Sequence, residues 1–411
     1  LPRPLARRRA AVIATSVTAW AVEGAAVLAP VLAIYTSKGL SPLMAILAAA
    51  ALYVLWRADS WRDVARLPAV RALSALLAWA LFSAIWALDA RDALSTFAGV
   101  AVMVIGGASF AGAAYVAPQG DLRRLGVALG LGLGLCLAAA LDYEHGHAVH
   151  RLLWTLQGLQ REWRSAGINT GMTLLVLVVF PAAIAFWRNG WKVLAVAAPL
   201  AVAAVVLPAW AVTPRLALVT GIAVFALALW LGRAMIITMV AAMAASVVMA
   251  PLLVAALLRP ETHEAWLTGH SPSGLHRLYI WRFVNGHIGH KPVLGWGMDS
   301  ARSLPGGGEL ILGKFPALPL HPHNAALQLW VELGLVGAIL GAIVVFVIGR
   351  AIGRLADPVA RAGAAAVYAA AFIILSASFG VWQNWWLAAL GIVAALTLAA
   401  CHWPARPRPA P

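Results

Sequence analysis

The sequence predicts an all-α polytopic membrane protein, and three observations predict it. Hydrophobic residues make up 63% of the 411 and charged residues 11%, where soluble domains run near about half and about a quarter. The apolar residues fall in long blocks, such as 100–117 and 216–231, near the length of about 20 residues that a helix needs to cross a bilayer. The charges gather between those blocks. A transmembrane β-barrel would instead alternate polarity in segments of about 10 residues.

About twelve spans follow, near 10–34, 41–56, 71–88, 93–117, 123–141, 170–187, 191–210, 215–231, 234–258, 325–349, 359–379 and 382–401. The basic N-terminus, with Arg3, Arg7, Arg8 and Arg9, precedes an apolar block too long for a signal peptide, so it reads as an uncleaved first helix. A net charge of +15 would suggest nucleic acid in a soluble protein. Here the charges mark topology, and membrane lipid rather than nucleic acid is the expected partner. Twelve spans put both termini on one side. The clusters at Arg57 to Arg71, Arg123 and Arg124, Arg188 and Lys192, and Arg350 to Arg361 share that side. The positive-inside rule makes it cytoplasmic. Cys136 and Cys401 lie far apart in apolar stretches and read as reduced core residues.

Two basic segments on the opposite side break the charge rule. In 142–169, Leu152, Leu153, Leu156, Leu159 and Trp163 recur at helical spacing between Arg151, Gln157, Arg161 and Arg164. That pattern fits a helix lying on the membrane surface, or a plain connector that snorkels its arginines. The second, 259–324, is long, non-repetitive and rich in Gly, Pro, His and Trp, as functional loops tend to be. The organisation is therefore spans one to nine in 1–258, a loop at 259–324 on the side away from the termini that is expected to carry the functional site, spans ten to twelve in 325–403, and a Pro-rich tail at 404–411 that reads as disordered.

The sharpest run is His321-Pro322-His323-Asn324 at the end of that loop. Asn324 suits an N-cap, and Gln328 and Glu332 follow on one face of the next helix. A polar stripe in an apolar helix tends to mark a site. Imidazole is the natural general base near neutral pH; the bland alternative is a surface histidine at a helix start. A metal reading of His321-x-His323 lacks further ligands, because Glu261, Glu264, Asp299 and Glu309 are sparse and unspaced, so no metal or other cofactor is expected. Arg215 stands alone in its loop and could bind an anion or simply snorkel. Arg277 sits in a helical pattern with Tyr279 and Arg282, before Lys291-Pro292-Val293-Leu294-Gly295-Trp296-Gly297. Guanidinium forks suit phosphate. The chain has no P-loop, no G-x-S-x-G and no D-x-D pair.

Together these pieces resemble the O-antigen ligase and polymerase superfamily. The matching elements are His-Asn-x9-Gly-x-x-Gly at 323–337, the Arg277 pattern followed by Pro-x-x-Gly-x-Gly, the lone Arg215, and Arg164-Ser165-Ala166-Gly167 before a mid-chain span. Thr-Pro-Arg stands where Ser-Arg is common in the family. The resemblance implies a C-type glycosyltransferase-like fold in the bacterial inner membrane. It implies metal-independent, inverting transfer of O-antigen from undecaprenyl diphosphate onto lipid A-core oligosaccharide. His323 would be the base, and Arg215 and Arg277 would bind the diphosphate. Arg164, Tyr279, Arg282, His321, Asn324, Gln328 and Glu332 would contact substrate or orient those groups. A polymerase, or a transferase of glycans to protein, would share the chemistry. A lipid or glycan transporter is the reading from another class, but it would place its polar groups near the midplane.

Overall fold

The computed structural model describes residues 3–116, 120–145, 147–156, 166–311 and 313–405. The described chain is helical almost throughout. The helices are α1 (Arg3–Tyr35), α2 (Leu40–Arg57), α3 (Trp61–Arg66), α4 (Pro68–Ser83), α5 (Ala90–Val116), α6 (Leu122–His145), α7 (Ala148–Leu156) and α8 (Ala166–Arg188). Then come α9 (Lys192–Val206), α10 (Val212–Val248), α11 (Ala250–Leu257), α12 (Pro260–His270), α13 (Pro272–His290), α14 (Ala325–Ile352), α15 (Pro358–Ala377) and α16 (Asn384–His402). Two residues each from β1 (Leu310–Ile311) and β2 (Phe315–Pro316) pair antiparallel in the loop before α14.

Burial follows the apolar pattern. Every residue from Leu174 to Phe180 in α8 is buried, as expected of a helix that is hydrophobic all round and packed on all sides. It runs through the main core, which it shares with residues of α1, α2, α6, α15 and α16. Large apolar side chains face outward elsewhere: Ile46, Val193, Leu200, Trp230 and Leu252 are each more than half exposed. In water such a surface would be a liability; against lipid it is the expected exterior.

Ten described helices are long and apolar enough to cross a bilayer. The predicted span at 191–210 is a 15-residue helix, α9, which falls short of that length. The predicted spans at 215–231 and 234–258 are joined in α10, which breaks at Gly232 (φ 67°, ψ −147°), and in the short α11. Only a residue without Cβ takes that backbone readily. The expected surface helix appears in part, as α7, whose Val149, Leu152 and Leu156 are exposed. Leu159, Arg161, Trp163, Arg164 and the tail beyond residue 405 lie outside the described residues.

The predicted helix at 325–349 is not continuous. It breaks at Gly334 (φ 65°, ψ −163°). The main-chain groups freed by the break are taken by the Pro292–Gly297 stretch. Trp296 N–H donates to the Val331 carbonyl at 2.9 Å, Gly297 N–H to the Glu332 carbonyl at 2.8 Å, and Leu335 N–H donates to the Pro292 carbonyl at 2.9 Å. A Cβ on Gly295 would meet the Glu332 carbonyl, and one on Gly334 would meet the Val293 carbonyl. Both glycines also have positive φ. The Pro-x-x-Gly-x-Gly pattern thus packs loop backbone directly onto a broken helix.

The loop between α11 and α14 has its own small core. Ile280, Val284 and Ile288 of α13 pack with Ala301, Leu304, Leu318, Leu327 and Val331. That core holds α13 beside the start of α14.

Candidate active site

His323 has φ 56°, in the left-handed region. That conformation costs a non-glycine residue roughly 1–2 kcal/mol, so its surroundings must hold it. They do so through three contacts. The ring Nδ1 lies 2.5 Å from the Ser378 carbonyl, the main-chain N–H donates to His321 Nδ1 at 3.2 Å, and Trp281 Nε1–H donates to the Pro322 carbonyl at 2.8 Å. Asn324 caps α14 as predicted, its Oδ1 accepting from Leu327 N–H at 3.0 Å.

A carbonyl only accepts, so His323 carries its proton on Nδ1 and leaves the Nε2 lone pair available. Burial lowers its basicity and the nearby Arg277 and His276 lower it further, against the raising effect of the Ser378 carbonyl. The ring is therefore neutral near pH 7, the form that accepts a proton.

His321 is buried and its ring centroid lies 4.3 Å from that of His323. Its Nδ1 accepts from the His323 main-chain N–H, so its proton sits on Nε2, 2.9 Å from Gln383 Nε2, a position the amide oxygen takes when the amide is turned over. The amide oxygen is the group there that can accept it. Burial first, then His323, Arg302 and Arg277, push its pKa down to about 3. A Cβ on Gly380 would meet the His321 ring at 2.8 Å, so glycine there makes room for it.

Glu332 is fully buried. Its carboxylate accepts from Trp382 Nε1–H at 2.5 Å, Asp299 N–H at 2.8 Å and Gln328 Nε2–H at 3.0 Å. Gln328 Oε1 accepts from Val381 N–H at 2.9 Å. Neither side chain bonds His323. Both grip the 378–383 turn whose Ser378 carbonyl does.

Arg277 projects from α13 toward the start of α10, where its Nη1–H reaches Thr213 Oγ1 at a long 3.5 Å. Among the described residues it has no carboxylate partner. Burial pushes its pKa down. A mostly desolvated guanidinium without a counter-charge is costly unless an anion joins it. Arg215 lies in the same first turn as Thr213, but its Nη2–H turns back to the Trp210 carbonyl at 3.4 Å. Tyr279 and Arg282 face α12: the tyrosine hydroxyl donates to Glu264 at 3.2 Å, and Arg282 pairs with Glu261. Arg164 lies outside the described residues.

The structure thus brings together Arg277, His321, His323 and, through Thr213, the turn bearing Arg215. It adds Ser378, Gly380, Trp382 and Gln383, which the sequence reading did not single out. Their one signal is a polar, glycine-bearing stretch between two apolar blocks. Asp299 and Arg302 also join the site. Among the described residues, no three His, Cys, Asp or Glu side chains converge as metal ligands would.

Residues 164–342 match a family model described as O-antigen ligase. A 138-residue stretch is 34% identical to a protein of Rickettsia conorii named "Putative polysaccharide ligase", covering 33% of this chain and 34% of that one. Its counterpart in Rickettsia felis is 36% identical over 120 residues, or 28% and 30% of the two chains. That in Rickettsia bellii is 37% identical over 129 residues, or 30% and 31%. The chain spans about a third of the length of these curated relatives. The resemblance to the O-antigen ligase superfamily is thereby borne out over residues 164–342, the stretch that holds Arg215, Arg277, His321, His323 and Glu332.

Proposed function

We propose that this chain is a membrane-embedded glycan transferase of the O-antigen ligase type, taking its glycan from a lipid diphosphate. One observation carries the reading: a desolvated Arg277, without a carboxylate partner among the described residues, stands near a neutral imidazole whose Nδ1–H is fixed and whose Nε2 is left available.

In this reaction an acceptor hydroxyl attacks the anomeric carbon of the donor sugar. His323 Nε2 takes the hydroxyl proton. The bond from the anomeric carbon to the diphosphate oxygen breaks, and the lipid diphosphate leaves with the electron pair. Direct attack inverts the anomeric centre. Diphosphate is already a good leaving group, so Arg277, assisted by Arg215, needs only to bind it and offset its developing charge. Such electrostatic stabilisation is often the largest catalytic contribution.

Undecaprenyl diphosphate-linked O-antigen as donor and lipid A-core oligosaccharide as acceptor come from the family resemblance. The twelve-span layout with both termini cytoplasmic rests on the apolar blocks and the charge bias, which put the 259–324 loop on the opposite, periplasmic side. In that layout α9 and the two halves of α10 count as three spans. The site lies at the bundle end that carries the 259–324 loop, where a donor could slide in from the bilayer. A transporter reading has less support, since the polar groups cluster at this end.

The test is ligation by the purified chain, supplied with lipid-linked donor and lipid A-core. Ligated product with release of lipid diphosphate is the expected result. Joining of donor glycans to each other, with no transfer to core, would make the chain a polymerase.

A further inference from the structure

Arg302 lies in the short turn Ser300–Ser303, between the buried Ala301 and Leu304. Its Nε–H donates to Asp299 Oδ1 at 2.8 Å. The pair is lopsided: the Asp299 side chain is 5% exposed and that of Arg302 is 46% exposed. Asp299 is held from three directions. Its main chain has φ 58°, its N–H donates to Glu332 at 2.8 Å, and its other oxygen accepts from Thr96 Oγ1 at 2.7 Å. An ordinary surface ion pair contributes about 0–1 kcal/mol and calls for no such scaffold.

The anchoring atom matters. Asp299 engages Nε from the side, which fixes the plane of the guanidinium. The two terminal nitrogens have no protein partner among the described residues. A planar fork with both ends available suits two oxygens of one phosphate or diphosphate. The turn is also fixed to the catalytic loop, because Leu304 and Ala301 pack with Leu318, Leu327 and Ile280. Arg302 and Arg277 both act on His321 as nearby positive charges. Two guanidiniums from separate elements therefore lie near His321, and among the described residues only Arg302 has a carboxylate partner.

We infer that Arg302 is a second anion-binding arm of this site, held side-on by Asp299 so that its free end takes diphosphate oxygens alongside Arg277. The inference rests on the proposed function. It assigns Asp299 as a positioning residue, and it adds Arg302 to Arg277 and Arg215, the last of which turns its Nη2–H toward the Trp210 carbonyl.

The experiment uses the full chain purified in detergent. Binding of farnesyl diphosphate, farnesyl monophosphate and inorganic pyrophosphate is measured for wild type, Arg277→Gln, Arg302→Gln and Arg302→Lys. Losing one charge-assisted contact should weaken farnesyl diphosphate binding about tenfold or more in Arg302→Gln. The monophosphate should lose less, and the acceptor KM should stay unchanged. Arg302→Lys should recover part of the affinity, since it keeps the charge without the fork. If Arg302→Gln is unstable, the lysine variant alone decides, by binding diphosphate less tightly than wild type. Wild-type diphosphate affinity in a stable Arg302 variant, or a change confined to the acceptor KM, overturns the inference. If Arg277→Gln weakens binding and the Arg302 variants do not, only this inference falls. If wild type binds no diphosphate, the reading of the whole site falls with it. Pyrophosphate binding without a preference for the farnesyl form would show a free-anion site and not a lipid one, which also counts against it.

Discussion

The ring of His323 in the α13–α14 loop lies 2.5 Å from the Ser378 carbonyl in the turn between α15 and α16. Two segments far apart in sequence thus set one tautomer. The Ser378 turn is itself tied down, by Val381 N–H to Gln328 and by Trp382 Nε1–H to Glu332. The polar stripe on α14 therefore acts on His323 through the turn and not by direct contact.

This arrangement sets the pH dependence. The base form of His323 is active, so activity falls as pH drops through its pKa. Burial and the nearby Arg277 lower that pKa from an ordinary value of about 6.5. The acid limb of kcat/KM is expected below about pH 6.5. Arg277→Gln should move the limb upward, because it removes a nearby positive charge. A limb at or above the ordinary histidine value in wild type would contradict the neutral, buried imidazole.

His321 should make stability pH-dependent. Its pKa in the fold is about 3, against about 6.5 unfolded. Between those values the unfolded chain binds the extra proton, so stability falls as pH falls. The contribution is complete above about pH 6.5 and is lost progressively toward pH 3. Melting temperature in detergent should therefore drop from pH 7.5 to 5, and His321→Gln should flatten part of that slope. An unchanged slope in the variant would place the acid sensitivity elsewhere.

Gly334→Ala should destabilise the protein. The position has positive φ, and a new Cβ would meet the Val293 carbonyl. Residues forced into such backbone cost of order 1–3 kcal/mol, and displacing the Pro292–Gly297 stretch adds to that. Gly134→Ala, where a Cβ meets nothing within 4 Å, is the matched control. Equal thermal melts for the two variants would mean that the loop does not depend on the helix break.

Much of this was legible in the sequence because it is periodic or local. Apolar blocks marked most of the long helices to within a few residues, though α9 is shorter than a span and 215–258 forms the broken α10 with α11; Asn324 announced its cap. His323 stood out as a polar residue at the edge of such a block, and Arg277 as a basic residue in the helical pattern of the large loop. The break at Gly232 falls where the apolar pattern already divided 215–231 from 234–258, but the one at Gly334 was not legible, since a glycine in an apolar helix is common and only its close neighbours reveal the left-handed turn. Gly334 needs Gly295, which lies in another segment. Ser378 was invisible for another reason: it acts through its main-chain carbonyl, which any residue would supply. Asp299 read as a sparse loop acid because its partners, Thr96, Arg302 and the Glu332 carboxylate, come from three separate stretches.

The central claim is that His323 removes the acceptor proton, and the ligation rate of His323→Ala tests it most directly. The rate is measured with lipid-linked donor and lipid A-core, on protein whose melting temperature matches wild type. A positioned general base contributes roughly 10²–10⁴ in rate, so a loss in that range is expected, with farnesyl diphosphate binding largely retained. Near-wild-type turnover by a folded His323→Ala protein would contradict the assignment.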